Sequence, residues 1–104
     1  MVVDFFAEHC IPCGRSLPSI EALHRATPDL IVLGVSEDDD AAGAQRMVQR
    51  HDLTFPVVYD DQHALAGRFR VSDLPATFVV EANGVVCWKG EDPDDVRAAV
   101  QSAK

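Results

Sequence analysis

The sequence predicts an α/β fold in which a mixed central sheet is covered by helices on both faces. Its 104 residues are enough for one domain and too few for two. In the first half, short apolar segments alternate with segments of helical periodicity, which is typical of parallel strands joined by right-handed crossovers. Later, Asn83-Gly84 between two apolar segments predicts an antiparallel hairpin. The expected order is β-α-β-α-β-(α)-β-β-α, a three-layer α/β/α domain over residues 1–104.

The first strand and helix lie in the amino-terminal quarter of the chain. Val2 to Ala7 is a short apolar segment rich in Val and Phe, which is typical of a strand buried on both faces. A helix is predicted from Pro12, which suits the first helical turn, to about Ala26. Leu17, Ile20 and Leu23 recur within it at helical spacing and predict its buried face.

The middle of the chain again alternates between strand and helix. Leu30 to Val35 is predicted as a second buried strand, and Phe55 to Tyr59 as a shorter third one. The acidic run Glu37 to Asp40 is expected to cap a second helix at the positive end of its dipole, and otherwise to be solvated. Residues 63–70 have room for one or two more helical turns. The apolar face of the second helix comprises Ala44, Met47, Val48 and His51.

The carboxyl-terminal part is predicted as a hairpin followed by a helix. Ala76 to Val80 forms the first hairpin strand, and Val85 to Trp88 returns antiparallel to it. Asp92 then caps a helix that begins at Pro93, with further acidic charge in its first turn. The apolar face of this last helix comprises Val96, Ala99, Val100 and Ala103.

Charge and composition exclude several classes of partner. Seventeen acidic side chains against nine basic ones give a formal net charge of −8, which disfavours nucleic acid and anionic membranes. No apolar stretch approaches the roughly 18 residues that a membrane span needs. The start of the sequence does not resemble a signal peptide. We therefore expect a cytoplasmic protein from the chain as given, and a periplasmic or exported one if it is a trimmed domain.

The segment Cys10-Ile11-Pro12-Cys13 is the main candidate for chemistry. Its spacing allows a disulfide within one helical turn. At the junction of strand and helix, free backbone N–H groups and the positive end of the helix dipole favour the thiolate of Cys10. Because the thiolate is the attacking species in disulfide exchange, Cys10 is the candidate nucleophile and Cys13 the candidate resolving thiol.

Other uses of a cysteine pair fit the sequence less well. A zinc site usually adds a second CxxC or two closely spaced histidines, and neither is present. Covalent haem attachment needs His after the second cysteine, and residue 14 is Gly. A pair of inert, buried cysteines remains open as an alternative. We predict no metal and no cofactor.

Asp4 is a carboxyl in the middle of an apolar strand that leads to the cysteine pair. Burying it in the charged form would be costly, so a buried Asp4 would have a raised pKa. Such a group could accept or donate the Cys13 proton during exchange. The alternative is that this end of the strand is exposed and Asp4 is solvated.

Three further residues can be assigned simpler roles. Pro75 follows Leu74 between a loop and a core strand, a position that suits a tight turn. Cys87 on the hairpin strand is interpreted as a buried, inert thiol. Its neighbour Trp88, the only tryptophan, is interpreted as a packing residue.

Together these features resemble the thioredoxin superfamily over nearly the whole chain. Val3 to Cys13 is similar to the active-site strand and motif of that family, and Pro18 falls where its helix carries a kinking proline. Leu74 to Phe78 matches the segment that carries the family's cis-proline. Asn83-Gly84 and Gly90 match its closing hairpin. The resemblance implies a thioredoxin fold.

The resemblance also implies roles for residues around the cysteine pair. It implies a cis bond before Pro75, packed against the disulfide, with the backbone of Leu74 helping to dock substrate. Ile11 and Pro12 would complete the docking surface, and in the family a proline at the Pro12 position accompanies reducing character. Asp4 matches the family's buried aspartate, which supports the proton role.

The branch of the family is indicated by an insertion of a helix and a strand, at about residues 38–59, between the CxxC helix and the cis-proline strand. This insertion is similar to that of the TlpA/ResA-like thiol-disulfide oxidoreductases. Peroxiredoxins are more distant, because their peroxidatic motif is absent around Cys10. Some cytochrome-maturation members carry glutamate where this chain has Ser16, so Asp4 would act alone.

The function expected from these features is that of a thiol-disulfide oxidoreductase that reduces protein disulfides. Its partners would be a protein disulfide and an upstream thiol donor, and the chain would be a monomer or a weak dimer. Two alternatives stay open: a redox-inactive binding module with the same fold, and a thiol peroxidase related to peroxiredoxins.

Overall fold

A computed structural model of the chain describes residues 1–102. Five strands and four helices follow one another in the predicted order: β1 (Val2–Phe6), α1 (Ile11–Ala26), β2 (Val32–Ser36), α2 (Ala41–His51), β3 (Val57–Tyr59), α3 (Ala64–Phe69), β4 (Ala76–Val80), β5 (Val86–Gly90) and α4 (Pro93–Ser102). A short 3₁₀ turn, Asp61–His63, precedes α3. Ala103, predicted on the apolar face of the last helix, lies outside the described residues.

The five strands form one mixed sheet in the order β3-β2-β1-β4-β5. β1 is central: it runs parallel to β2 and antiparallel to β4. β3 pairs parallel with β2, and β5 pairs antiparallel with β4. The predicted mixed sheet is confirmed. The inserted strand β3 forms one edge of the sheet, beside β2.

Helices cover both faces of the sheet, as predicted. On one face, α1, α2 and α4 pack over Val2 and Phe6 of β1, and the core there includes Leu17, Met47 and Val96. On the other face, α3 packs over Phe5, next to Phe78. All residues of β1 are buried, which agrees with its continuous apolar sequence.

One edge of the sheet gathers the loops that carry the candidate functional residues. The carboxyl ends of β1, β2 and β3 meet there, because these strands run parallel. The amino end of the antiparallel strand β4 lies at the same edge. Cys10, the acidic run, Asp60 and Pro75 therefore belong to neighbouring loops. Within residues 1–102, no helix is long and apolar enough to cross a membrane.

The prediction that Cys87 is a buried thiol is wrong, because this side chain is exposed. The hairpin register pairs Val80 with Val86 and Val79 with Trp88, which leaves Cys87 as the extra residue of a β-bulge. β5 is an edge strand, so no strand among residues 1–102 pairs with its outer side. The Cys87 thiol donates a weak hydrogen bond to the Val79 carbonyl oxygen at 3.4 Å.

Trp88 is a packing residue, as predicted. Its half-buried ring contacts the core on the α1 and α4 face. The ring also explains the glycine two residues later, since a Cβ atom at Gly90 would lie 2.6 Å from the indole carbons. An alanine there would force the ring to move.

Candidate active site

A disulfide joins Cys10 and Cys13 at the start of α1. Cys10 is the N-cap of the helix: its backbone is extended, and its Sγ atom accepts a hydrogen bond from the Cys13 backbone N–H at 3.2 Å. Pro12 occupies the first turn, where its missing N–H costs nothing. The Cys10 sulfur therefore sits where a helix terminus stabilises negative charge, as predicted.

The two cysteines differ in accessibility. Cys13 is completely buried in the core under α1, whereas Cys10 is partly exposed. A large substrate can therefore approach the sulfur of Cys10 but not that of Cys13. This asymmetry suits the predicted division between an attacking thiol and a resolving thiol.

A cis-proline turn lies beside the disulfide. The Leu74-Pro75 bond is cis, which agrees with the family resemblance. Pro75 and Pro12 line one shared groove, whose other walls include Arg15 and Glu91. Leu74 is partly buried and contacts the cores on both faces of the sheet.

Ile11 adds an apolar surface to this region. It occupies the first turn of α1, between the two cysteines, and is 75% exposed. Its side chain therefore offers apolar surface to a partner next to the partly exposed Cys10. The predicted docking residues are thus gathered around the disulfide.

Asp4 is completely buried in the middle of β1, so the alternative of a solvated carboxyl is wrong. Its Oδ1 atom accepts a hydrogen bond from the Thr77 hydroxyl at 2.6 Å, whereas Oδ2 has no partner within residues 1–102. Burial raises the pKa of Asp4 to about 7, and the hydrogen bond from Thr77 offsets part of that rise.

The alternation of β1 places Asp4 on the same face of the sheet as Val2 and Phe6. Both of these residues belong to the core cluster that also contains Cys13. Asp4 therefore lies on the α1 side of the sheet, under the cysteine pair, although no hydrogen bond joins it to Cys13 in the part of the chain described. In the disulfide form Cys13 carries no proton to share.

The acidic run is only partly the solvated surface that was predicted. Asp40 caps α2 by accepting the Gly43 backbone N–H at 3.0 Å, as expected. Glu37 and Asp38, however, are both buried, which corrects the prediction. The run follows β2 at the sheet edge, so its first residues turn inward between neighbouring loops instead of facing water.

Glu37 is part of a second group of titratable side chains at this edge. Its Oε1 atom lies 2.7 Å from Nδ1 of His63, and Oε2 has no partner among the described residues. Burial and the nearby Asp60 carboxyl raise the pKa of Glu37 to about 7. The Glu37 carboxylate in turn raises the pKa of His63. Sequence analysis missed this group, because its members come from separate loops.

No cluster of three or more His, Cys, Asp or Glu side chains within residues 1–102 is arranged to hold a metal ion. The reactive groups that this edge brings together are the two sulfurs and the buried carboxyls. A dithiol whose first sulfur is accessible and whose second is buried near a proton-binding carboxyl can exchange with an external disulfide.

Comparisons with known proteins agree with this arrangement. The model of the AhpC/TSA family matches residues 1–89. The thiol-disulfide oxidoreductase ResA of Geobacillus kaustophilus is 29% identical over 86 residues, which cover 81% of this chain and 49% of that protein. The chain thus spans about half the length of the curated relatives that it matches. Similarity to ResA confirms the resemblance to the TlpA/ResA-like branch.

Solved structures confirm the predicted fold. The thioredoxin domain of a thiol-disulfide oxidoreductase from Bacteroides vulgatus has a TM-score of 0.87 at 21% identity, over 97% of this chain and 76% of that one. A secreted Mycobacterium tuberculosis disulfide oxidoreductase homologous to DsbE of E. coli has a TM-score of 0.86 at 21% identity, over 97% of this chain and 79% of that one. At such identities the likeness concerns the fold alone.

Proposed function

The chain belongs to the AhpC/TSA family, and from that premise we propose that it is a thiol-disulfide oxidoreductase that reduces protein disulfides through Cys10 and Cys13. The observation that carries this proposal is the unequal environment of the two sulfurs. Cys10 is partly exposed at a helix N-terminus, and Cys13 is buried one turn further on. Similarity to ResA supports the same activity.

The first step is an attack of the Cys10 thiolate on one sulfur of a substrate disulfide. A bond forms between Cys10 Sγ and that sulfur, the substrate disulfide breaks, and the second substrate sulfur leaves as a thiolate. The Cys13 N–H, which already points at Cys10 Sγ, stabilises the attacking thiolate. The product of this step is a mixed disulfide with a free Cys13 thiol.

The second step resolves the mixed disulfide. Cys13 loses its proton and attacks Cys10 Sγ, which forms the Cys10–Cys13 disulfide and releases the remaining substrate thiolate. The ionised form of Asp4 would accept the Cys13 proton, since its pKa of about 7 lets it bind and release protons near neutral pH. Two electrons pass to the substrate, and an upstream thiol donor must then return them to the pair.

The substrate would dock on the surface around the disulfide. Ile11 offers an exposed apolar side chain, and Pro12 and Pro75 line the adjoining groove. An extended substrate segment that crosses this groove would pass the backbone of Leu74 and bring its disulfide to Cys10. These contacts suit a protein or peptide partner better than a small, fully enclosed molecule, because the groove is open.

Reduction of insulin by dithiothreitol, followed as turbidity, tests the proposal. Wild-type protein is expected to accelerate the reaction, and the Cys10→Ser variant is expected to lose that acceleration. Cys87→Ser is the matched control, because Cys87 is a free thiol outside the cysteine pair. Equal rates for wild type and Cys10→Ser would favour a redox-inactive binding module. Cys10-dependent consumption of hydrogen peroxide without insulin reduction would instead favour a thiol peroxidase.

A further inference from the structure

Glu8 is a charged side chain two residues before Cys10, and α2 supplies its partners. Arg46 makes a bidentate contact to the Glu8 carboxylate, with Nε at 2.7 Å from Oε2 and Nη2 at 2.9 Å from Oε1. Arg50 adds a third contact from the next turn of α2, at 3.2 Å. Planar bidentate pairing of this kind fixes the geometry of both groups more tightly than a single contact does.

A second connection holds the backbone of the same loop. The Glu8 N–H donates to Asp38 Oδ1 at 2.7 Å, and the Ser36 hydroxyl donates to Asp38 Oδ2 at 2.7 Å. Asp38 fits at the start of α2 because residue 43 is glycine: a Cβ atom at Gly43 would lie 2.7 Å from the Asp38 side chain. The loop before Cys10 is therefore attached to the inserted segment through both its backbone and its side chain.

These contacts place Glu8 in a defined charge environment on the loop that leads to Cys10. Two consecutive residues span at most about 7 Å, so the Glu8 backbone lies close to Cys10. An unpaired carboxylate there would oppose the formation of the Cys10 thiolate, and two guanidinium groups offset that effect. The arginine contacts also hold the pKa of Glu8 below its usual value, so it stays ionised near neutral pH.

Other charged groups around the loop complete this environment. His9 is exposed on the loop itself, and Asp4 lies beneath it in β1. Asp38, Asp39 and Asp40 come from the loop before α2, and together with Glu8, His9 and Arg46 they line one small cleft. From α2, the His51 ring reaches the first turns of α1, about 4.0 Å from the position of a Cβ atom on Gly14. On the other side of the disulfide, Arg15, Glu91 and Asp92 line the groove beside Pro12 and Pro75. Among the residues that line the cleft with Glu8, Arg46 is the one arginine, against four carboxyl side chains.

We propose that Arg46 and Arg50 are positioning residues for the exchange reaction: through Glu8, the inserted helix α2 orients the loop before Cys10 and keeps the Cys10 thiolate favourable. The inference rests on the proposed function of the cysteine pair. It assigns a role to the insertion at residues 38–59, which carries the two arginines and Asp38 but no cysteine.

The test measures the pH dependence of iodoacetamide alkylation at Cys10, located by peptide mass spectrometry in the reduced Cys87→Ser protein. Arg46→Gln with Arg50→Gln is expected to raise the apparent pKa of Cys10 by about half a unit, since two positive charges are lost and the Glu8 carboxylate then acts uncompensated through partly solvated surroundings. Adding Glu8→Gln to these two changes should reverse most of the rise. Glu8→Gln alone should lower the apparent pKa.

A second readout uses equilibrium with glutathione. A less favourable thiolate destabilises the dithiol form, so the double arginine variant should be more reducing than wild type, and Glu8→Gln should reverse this change as well. Arg25→Gln with Arg97→Gln is the matched control: it removes the same charge from exposed positions outside this network. It should leave both readouts unchanged.

Any of three results would overturn the inference. The first is an unchanged Cys10 titration in the arginine double variant. The second is a rise that Glu8→Gln fails to reverse, and the third is a rise that the Arg25 and Arg97 control reproduces, since in both cases the effect would not act through Glu8. Thermal unfolding of each variant verifies that it is folded. A wild-type protein that fails to reduce insulin would contradict the proposed function, whereas the alkylation result would still decide the role of Arg46 and Arg50.

Discussion

Two aspartates in this molecule are both buried, and their pKa values shift in opposite directions. Asp4 in β1 is 0% exposed and Asp60 after β3 is 4% exposed. Each oxygen of Asp60 accepts a backbone N–H at 2.9 Å, from Leu65 and Ala66. Asp4 has one partner, the Thr77 hydroxyl, and an oxygen with none in the described chain.

The pKa values follow from these partners. Burial acts to raise the pKa of Asp60, but the two backbone hydrogen bonds, together with Glu37 and His63, outweigh it and leave the pKa below its usual value. Burial of Asp4 is opposed by a single hydrogen bond, and its pKa rises to about 7. Burial alone therefore does not make a carboxyl a proton carrier. Hydrogen bonding separates a structural carboxylate, Asp60, from one that can exchange a proton near neutral pH, Asp4.

Among substitutions of the two aspartates, Asp60→Ala is expected to have the largest effect on stability. It leaves two N–H groups at the start of α3 without their acceptor, so the free energy of unfolding should fall by about 3 kcal/mol. Urea denaturation of the variant and of wild type at pH 7 measures this loss of unfolding free energy. Asp61→Ala is the matched control at an exposed neighbour and should change the value by less than about 0.5 kcal/mol. Similar losses for the two variants would contradict the structural role of Asp60.

Asp4→Asn is expected to act in the opposite direction. With a pKa raised from 3.8 to about 7, Asp4 contributes stability that is fully present below pH 3.8 and is lost as the pH rises through about 7. The neutral amide avoids this loss, so the variant should be more stable than wild type at pH 8, by about 2 kcal/mol. At pH 4 the two should be similar. Urea denaturation of both proteins at the two pH values measures this difference. A wild type that is more stable than Asp4→Asn at pH 8 would contradict the account.

The same substitution should slow catalysis. Without a proton acceptor for Cys13, resolution of the mixed disulfide should fall by about tenfold or more. Insulin reduction should show an inflection near pH 7 in wild type, where Asp4 ionises, and Asp4→Asn should lose it. Thr77→Val removes the hydrogen bond that lowers the pKa of Asp4, so it should move the inflection to higher pH. An Asp4→Asn profile with the wild-type inflection would assign that inflection to another group.

Much of this site could be predicted from the sequence, because its parts are local. Cys10, Pro12 and Cys13 lie in one short segment. Because this segment joins a strand to a helix, its first sulfur lies at the helix N-terminus. Asp4 was conspicuous since a carboxyl interrupts an apolar strand. Such patterns depend on neighbouring residues, so no knowledge of the tertiary structure was needed.

The parts that could not be predicted depend on which loops meet at the sheet edge. Glu37 and Asp38 belong to an acidic run that is typical of solvated surface. Their burial depends on contacts with His63, the Ser36 hydroxyl and the Glu8 backbone N–H. Cys87 was predicted to be buried because free cysteines usually are, and a one-residue bulge in an edge strand leaves it exposed instead. Registers and long-range pairs of this kind leave no periodic pattern in the sequence.

Covalent trapping of a substrate tests the central claim most directly. The Cys13→Ser, Cys87→Ser double variant retains Cys10 as its only thiol and should form a stable mixed disulfide at Cys10 with a disulfide-containing peptide. The matched Cys10→Ser, Cys87→Ser variant retains only the buried Cys13 and should form little adduct. Peptide mass spectrometry locates the bond. Adduct formation at Cys13 alone, or at neither cysteine, would contradict the claim that Cys10 attacks and Cys13 resolves.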